Sequence, residues 1–400
     1  MKLGIIRERK NPPDKRVVLS PEACKMLQKE YPSLEIIVEP SPIRTFKDQQ
    51  YKEAGIQLGN VGDCEVLVGV KEVPIENLIP NKKYFFFSHT IKKQPYNRKL
   101  LQAVVENDIQ LFDHEVLTNE QGQRVVAFGR YAGIVGAFNG IRAYGLKKAL
   151  FILPKAEDFV DQKALISALR KVDLGPARIV LTGKGRVGNG AKEMLDGMGI
   201  KELSADDFLN NQYPHAVYTQ IDVLDYNKRK DGQLKDKEDF FKNPQDYESD
   251  FMKYAESSDF FIAGHFFGDG SPYLFTREDA KRPEFKIEVI ADVSCDIDGP
   301  VASTIRPSTI EDPIYGYNPQ TEEEDDYRKL GVITVMAVDN LPCELPQDAS
   351  VGFGEQFSKN VIPALLDGDQ SGILKRARMT KDKSLTPRYS YLSDYLAGKE

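Results

Sequence analysis

Residues 177–195 read ARIVLTGKGRVGNGAKEML. An apolar run, 177–182, enters a turn carrying Gly183, Gly185 and Gly188 in the G-x-G-x-x-G pattern, and a helical pattern through Ala191, Met194 and Leu195 follows. Three glycines at this spacing are weak evidence alone, but between a strand and a helix they meet the geometry a dinucleotide pyrophosphate needs. The first glycine makes the sharp turn, the second removes a Cβ so that phosphate can approach backbone N–H groups, and the third lets helix and strand close up. The helix N-terminus adds partial positive charge, and Arg186, inside the turn, is a further candidate for neutralising phosphate. The alternative is a turn that serves only packing.

Outward from this turn, short apolar runs alternate with helical segments. Strands are expected at 3–6, 35–38, 66–70, 84–87 and 109–112 before it, and at 260–263, 287–293 and 332–338 after it. Such alternation builds parallel sheets covered on both faces. The first helix has Ser20 as its expected N-cap and Pro21 at the first helical position, with Ala23, Met26 and Leu27 on one face. A second helical pattern carries Leu100, Leu101, Val104 and Val105. Residues 130–150, RYAGIVGAFNGIRAYGLKKAL, place Gly133, Gly136 and Gly140 three or four positions apart. Small residues at that spacing fit either a helix lining a cleft between domains or tight packing on a neighbouring helix. The charge-dense stretch 222–250, DVLDYNKRKDGQLKDKEDFFKNPQDYESD, is expected to be a solvated excursion. Near the carboxyl end, Tyr389, Tyr391, Leu392, Tyr395 and Leu396 are the residues able to dock a terminal helix.

With 400 residues and 41% hydrophobic content, the chain is long enough for two domains of ordinary size. A formal net charge of −7 argues against nucleic-acid binding, which favours a basic excess, and towards a small-molecule partner. The four cysteines lack paired metal spacings and read as reduced thiols. No apolar segment of signal-peptide length opens the chain, and none approaches the roughly 20 residues of a membrane span. The expectation is a cytoplasmic protein with no membrane, nucleic-acid or metal partner.

Chemistry gathers at the strand ends of the first half. The strand in VLVGVKEVP ends in Lys71 and Glu72, FFFSHTIKKQ (85–94) stops at His89, and IQLFDHEVL ends in Asp113, His114 and Glu115. Neighbouring parallel strands gather these ends at one edge, the usual ligand position. Lys71 and His89 would then form a pair of proton carriers whose pKa values burial and repulsion can move towards neutrality. The bland reading is a hydrogen-bonded structural histidine, with Lys71 a surface lysine paired to Glu72 or Glu115. Arg16 and Arg124 present planar forks that suit a substrate carboxylate, or are surface arginines. About 20 residues past the glycine turn, Asp206 and Asp207 are in range to hold ribose hydroxyls, or else open a helix capped by Ser204. The carboxylate favours NAD over NADP by repelling a 2′-phosphate.

These segments also carry a resemblance. RERKNPPDKRVVLSPEA (7–23) resembles the amino-terminal signature of the alanine dehydrogenase and transhydrogenase superfamily. GVKEVP, FFSHTIK, QRVVAFGRYAGIVG, ADVSCD and VDNLPCELPQDAS together resemble the lysine-forming saccharopine dehydrogenases and the related lysine-ketoglutarate reductase domain. The likeness runs from about residue 2 to about residue 366. It implies an α/β fold of two Rossmann-like domains with parallel sheets separated by a cleft. It implies a discontinuous substrate domain, 1–140 plus about 340–400, around a dinucleotide-binding domain, 141–339, because the helix after Pro346 returns to the first domain. Lys71 and His89 match the acid–base pair, Glu72 and Glu115 the carboxylates that tune it, and Arg16 and Arg124 the substrate-carboxylate ligands. Asp339 matches an acidic residue at the cleft, and Gly183, Gly185, Arg186 and Gly188 match the dinucleotide loop. The implied reaction joins lysine and 2-oxoglutarate through an imine that hydride reduces to saccharopine, or runs in reverse, with NAD or NADP. The long 222–250 insertion and FFSHTIK are similar to the reductase domain and leave that cofactor choice open. An alanine or other opine-type dehydrogenase and a non-catalytic dinucleotide sensor are the competing readings.

Overall fold

The computed structural model describes residues 1–399. It divides into two compact units, one formed by Met1–Phe128 with the chain from Pro346 onward, the other by Gly129–Leu345.

The first unit is built on six strands, β1 (Lys2–Ile5), β2 (Glu35–Val38), β3 (Gln57–Leu58), β4 (Val66–Val68), β5 (Lys83–Phe86) and β6 (Gln110–Asp113). They lie in the order β3-β2-β1-β4-β5-β6, and every pairing is parallel. The order reverses direction between β1 and β4, so the crevice at that point opens beyond their carboxyl ends. The three phenylalanines of FFFSHTIKKQ divide between the faces of this sheet, as the period of two requires. Phe86 joins Leu101, Val104, Leu111, Leu392 and Tyr395 on one side. On the other, Phe85 stacks on Phe112 at 4.6 Å and meets Phe357 of the helix Pro346–Leu366 edge-on. Each such ring withdrawn from water contributes roughly 1.5–3 kcal/mol. The helix Pro346–Leu366 is thereby a facing layer of the first sheet, and its Ser350 Oγ accepts the Val17 N–H at 2.9 Å.

Ser20 caps the helix Pro21–Glu30 by accepting the Ala23 N–H at 3.2 Å. The buried face of that helix is Pro21, Cys24 and Leu27; Met26, expected inside, is 60% exposed, because the stripe follows steps of three from Pro21. At the carboxyl end Tyr389, Leu392 and Tyr395 are buried, while Tyr391 is half exposed.

The second unit holds β7 (Arg178–Thr182), β8 (Lys201–Glu202), β9 (Val217–Ile221), the hairpin β10 (Asn227–Arg229) and β11 (Tyr247–Ser249), then β12 (Phe260–Ala263), β13 (Val289–Asp292), β14 (Ile314–Asn318), β15 (Glu323–Asp325) and β16 (Ile333–Met336). Its main sheet runs β15-β14-β16-β13-β12-β7-β9-β8, parallel from β16 to β8, with β14 and β15 antiparallel at one edge. Here the order reverses between β7 and β12. Residues 222–250 are not the solvated excursion their charge suggests. Val223, Tyr226, Phe240 and Tyr247 are buried in the same apolar cluster as Phe261 and Ile290.

The sequence expectation cuts the chain at residue 140, inside the helix Gly129–Lys147; that helix lies whole in the second unit. Its glycines serve close packing there. A Cβ on Gly133 would stand 1.9 Å from the Val187 carbonyl oxygen, and one on Gly190 2.0 Å from that of Arg130. A Cβ on Gly140 would meet Ala291 at 2.6 Å. Two helix backbones therefore touch, and the first of them also rests on the sheet. Among the described residues no helix is long and apolar enough to cross a membrane.

Gly133→Ala forces the helices Gly129–Lys147 and Arg186–Met198 apart and is expected to cost about 2–3 kcal/mol, seen as a melting temperature lower by roughly 4–12 °C in a thermal scan. An unchanged melting temperature would show that the two backbones are not in contact.

Candidate active site

The carboxyl edge of the first sheet brings together residues far apart in the chain. β4 and β5 are neighbours, and the segments that leave them place Glu72 beside His89, with Oε1 2.6 Å from Nδ1. Lys10 Nζ donates to the other oxygen of Glu72 at 3.0 Å. Burial pushes this carboxyl up, but the bonds from His89, its own backbone and Lys10 outweigh that and hold it at about 2. An ionised Glu72 therefore accepts from Nδ1 and fixes the ring, leaving Nε2 as the nitrogen that Glu72 does not engage.

His89 itself sits in the left-handed region, φ +53. A non-glycine residue there costs roughly 1–2 kcal/mol, and the bend is held by the buried Asp113 of β6, which accepts both the backbone N–H (2.8 Å) and the hydroxyl of Ser88. Burial, opposed by those bonds, raises the Asp113 carboxyl above its usual range. The FFFSHTIKKQ strand thus ends in a histidine because its neighbour β6 pins the preceding serine.

At the order reversal between β1 and β4, Glu8 accepts the backbone N–H groups of Val70 and Lys71, at 2.7 and 2.9 Å. Burial pushes its carboxyl up to about 8. The sequence reading missed Glu8; it lies in the charged RERK run, where nothing local separates a surface glutamate from one turned inward. Asp14 lies close enough to Lys71 to be influenced by its charge. Burial also opposes ionisation of Asp14, but Arg16 wins and lowers its pKa.

The two arginines differ. Arg16 is buried, with Nη2 2.7 Å and Nε 3.1 Å from the Asp14 carboxylate, and its guanidinium lies over Phe128 at 4.3 Å. Two of its nitrogens are thus turned to a protein carboxylate. Arg124 is exposed and donates to Glu115 Oε1 at 2.9 Å, with Lys92 3.6 Å from the same oxygen. Glu115 thus bonds Arg124, while its buried Oε2 has no hydrogen-bond partner among the described residues. His114 is the structural histidine: buried, bonded through Nε2 to Gly69 O at 2.9 Å, and lowered to about 4 by burial.

In the second unit the glycine turn joins β7 to the helix Arg186–Met198 at the reversal point. Gly183 has φ +90, and a Cβ there would stand 2.6 Å from the Gly264 oxygen; a Cβ on Gly188 would stand 1.9 Å from the Gly183 oxygen. Those two glycines are required by the fold. A Cβ on Gly185 meets nothing within 4 Å, and as N-cap it offers the first helical N–H groups no side-chain acceptor. Open space over uncapped donors is what a pyrophosphate fits. Arg186, exposed, is the first helical residue.

Asp206 does not follow the strand beside β7. It lies exposed in the first turn of the helix Ala205–Asn210, capped by Ser204, after the edge strand β8. Asp207 is taken by Tyr213 and Asn211. The strand beside β7 is β9, whose Ile221 carbonyl accepts the Gly183 N–H at 2.8 Å, and the residue that follows is Asp222. Its Oδ2 is paired with Lys237 of the inserted segment. The alternation in 217–221, VYTQI, was the available signal for this strand. A second missed residue is His265, after β12, buried with Nδ1 2.8 Å from Thr182 Oγ1; its Nε2 has no partner among the described residues. Burial lowers it to about 4. Asp339 is exposed beyond the carboxyl end of β16.

Two doubly wound sheets, the first wholly parallel and the second parallel except at one edge, with a strand–glycine turn–helix unit in the second, define an α/β protein of the dinucleotide-binding class. The chain belongs to the alanine dehydrogenase/PNT family, whose N-terminal domain matches residues 4–135 and whose C-terminal domain matches residues 160–386. It is 28% identical over 451 residues to the mitochondrial alpha-aminoadipic semialdehyde synthase of Mus musculus, covering all of this chain and 48% of that one, so it spans about half the length of this relative. It is 26% identical over 406 residues to the NAD(+), L-lysine-forming saccharopine dehydrogenase of Yarrowia lipolytica, covering 94% of this chain and 96% of that one. The fold is that of an L-alanine dehydrogenase, with a TM-score of 0.66 at 16% identity over 99% of this chain and all of that one.

Gly185→Ala is expected to leave the melting temperature unchanged while weakening NADH binding at least roughly tenfold, because a methyl fills the space over the helix N-terminus. Titration calorimetry with NADH on the two proteins is the measurement, and equal affinity would take the pyrophosphate off this turn.

Proposed function

We propose that this chain is a nicotinamide-dependent amino-acid oxidoreductase that interconverts saccharopine with lysine and 2-oxoglutarate. The observation that carries the reading is the 2.6 Å bond between Glu72 and His89, on the edge where Lys71 also leaves its strand. The relatives named for saccharopine chemistry support the choice of substrate.

In the condensing direction, the ε-amine of lysine adds to the keto carbon of 2-oxoglutarate, and water leaves to give an imine. A nicotinamide bound at the glycine turn would supply the hydride that reduces it. The chain's own residues handle the protons. His89, oriented through Nδ1 by the ionised Glu72, exchanges a proton at Nε2 with the carbinolamine oxygen or the amine, and Lys71 is the second carrier. Glu8 fixes the backbone of Lys71. Arg124, exposed and held by Glu115, and Arg16, paired with Asp14, are the guanidinium groups suited to a substrate carboxylate. Asp339 suits a substrate ammonium. In the second unit the turn Gly183–Gly188 holds the pyrophosphate, with Arg186 beside it and Asp222, in place of Asp206, on the adenosine ribose.

Oxidation of NADH or NADPH by lysine plus 2-oxoglutarate, followed at 340 nm, tests the reading. Lys71→Met is expected to lower kcat by roughly 10²–10⁴. An unaffected rate would remove Lys71 from the mechanism, and turnover only with alanine and pyruvate would make the chain an alanine dehydrogenase.

The pairing of Lys237 with Asp222 bears on the choice between the two cofactors. A lone carboxylate repels a 2′-phosphate; a lysine beside it offsets that charge and supplies a phosphate partner. Lys237→Ala is expected to lower the ratio of kcat/KM for NADPH over NADH about fivefold or more, equivalent to roughly 1 kcal/mol. An unchanged ratio would exclude Lys237 from cofactor choice.

A further inference from the structure

A second concave surface lies within the first unit, where the carboxyl-terminal segment meets the 118–124 turn. It is a cavity of about 700 Å³ into which Lys375, Arg376, Arg378, Lys381 and Arg388 face, with Glu120 as the one carboxylate among its described lining residues. In a chain of net charge −7 this is a local reversal of sign. None of the residues assigned to the proposed reaction lines it.

Some arginines of this protein are matched by carboxylate forks, as in Arg130 with Glu193 and Arg306 with Glu324, while others, such as Arg142 and Arg170, donate to backbone carbonyls. Arg376 and Arg378 of the cavity have no carboxylate partner among the described residues. Arg376 gives Nε and Nη2 to the Thr118 carbonyl at 3.1 and 3.0 Å and Nη2 to that of Ser371, all neutral acceptors. The Nε of Arg378 is buried with no hydrogen-bond partner among the described residues, and its guanidinium lies over the Phe112 ring at 5.6 Å. Among the described residues Lys381 is paired with the adjacent Asp382, at 3.7 Å.

The cations are also held in place. Residue Arg378 bridges to Phe112 of β6, the next residue's N–H bonds Leu111 O at 2.8 Å, and Thr380 Oγ1 donates to Ile109 O at 2.7 Å. The cationic segment is thus laid along the edge of the first sheet, and little ordering is left for a ligand to impose. Planar guanidinium forks with open donors match phosphate and carboxylate oxygens two at a time, and the volume is that of a small-molecule site.

We propose that this cavity binds a small, multiply charged anion bearing phosphate or carboxylate groups. Calorimetric titration of the full chain with sodium pyrophosphate and, separately, with citrate tests it, on wild type, Arg378→Gln, Arg388→Gln and Gly185→Ala. The expected result is binding of at least one anion that Arg378→Gln and Arg388→Gln each weaken about tenfold or more, as loss of a charge-assisted contact would, and that Gly185→Ala retains. Pyrophosphate alone would assign a phosphate-bearing ligand, citrate alone a polycarboxylate. Arg388 is exposed, so its substitution stays informative should Arg378→Gln fold poorly. Absence of binding at millimolar anion, binding to Arg388→Gln as tight as to wild type, or loss of binding in Gly185→Ala overturns the proposal.

Discussion

Parallel strand pairing is the constraint on which everything else here rests. Because all pairings of the first sheet are parallel, its six strands deliver their carboxyl ends to one edge, and residues 17 positions apart, Glu72 and His89, come within 2.6 Å. In the second sheet the same rule sets the glycine turn of β7 between the ends of β9 and β12, so that Gly183 is bonded to Ile221 and approached by Gly264. Chain ends gathered this way must turn sharply to leave the sheet. The left-handed His89 is the result, and the buried Asp113 supplies the bonds that hold it. A side chain presented by a bend that a neighbouring strand secures is oriented before any ligand arrives.

The same edge sorts carboxylates by environment. Glu72 is held ionised by His89 and Lys10 against its burial, whereas for Glu8 burial outweighs the two backbone N–H groups it accepts and pushes the carboxyl up to about 8. Titratable groups driven apart in this fashion are what acid–base chemistry at neutral pH requires. Asp14 and Arg16 form a third arrangement, a buried pair in which each partner satisfies the other. Removing either would strand a charge, so that pair shapes the edge without itself being available to titrate.

What the sequence disclosed follows the range of the physics involved. The strand ends bearing Lys71, His89 and Glu115 and the strand–turn–helix around Gly183 are local patterns, and local patterns survive without a fold. Asp222 does not announce itself, because its place depends on β9 inserting between β7 and β8, a matter of strand order. Counting about 20 residues from the turn leads instead to Asp206, past the edge strand. Glu8 and Arg16 were visible as charges; which charge is buried and which is paired is decided by residues remote in the chain. Met26 shows the same limit on a smaller scale, since three residues per step and four per step differ only in which neighbour the helix meets.

Charge density proves the least transferable signal. Residues 222–250 are among the most charged in the chain, yet they fold, because several of their charges are paired and their few aromatics reach the core. Arg229 is held by Asp231 at 2.9 Å and Asp239 at 2.6 Å, while Tyr226, Phe240 and Tyr247 are buried. The rule that charged, apolar-poor segments stay unfolded assumes that no neighbouring core is at hand; here one is, and the aromatics of the segment enter it. Residues 375–388 present the opposite case, a mostly cationic cluster fixed to a sheet edge, with neutral acceptors around Arg376. In the first segment the charges are part of what holds the chain together, and in the second they are left facing outward into a cavity. The difference lies in whether a carboxylate stands opposite each cation, and that pairing is a property of the fold, not of the composition.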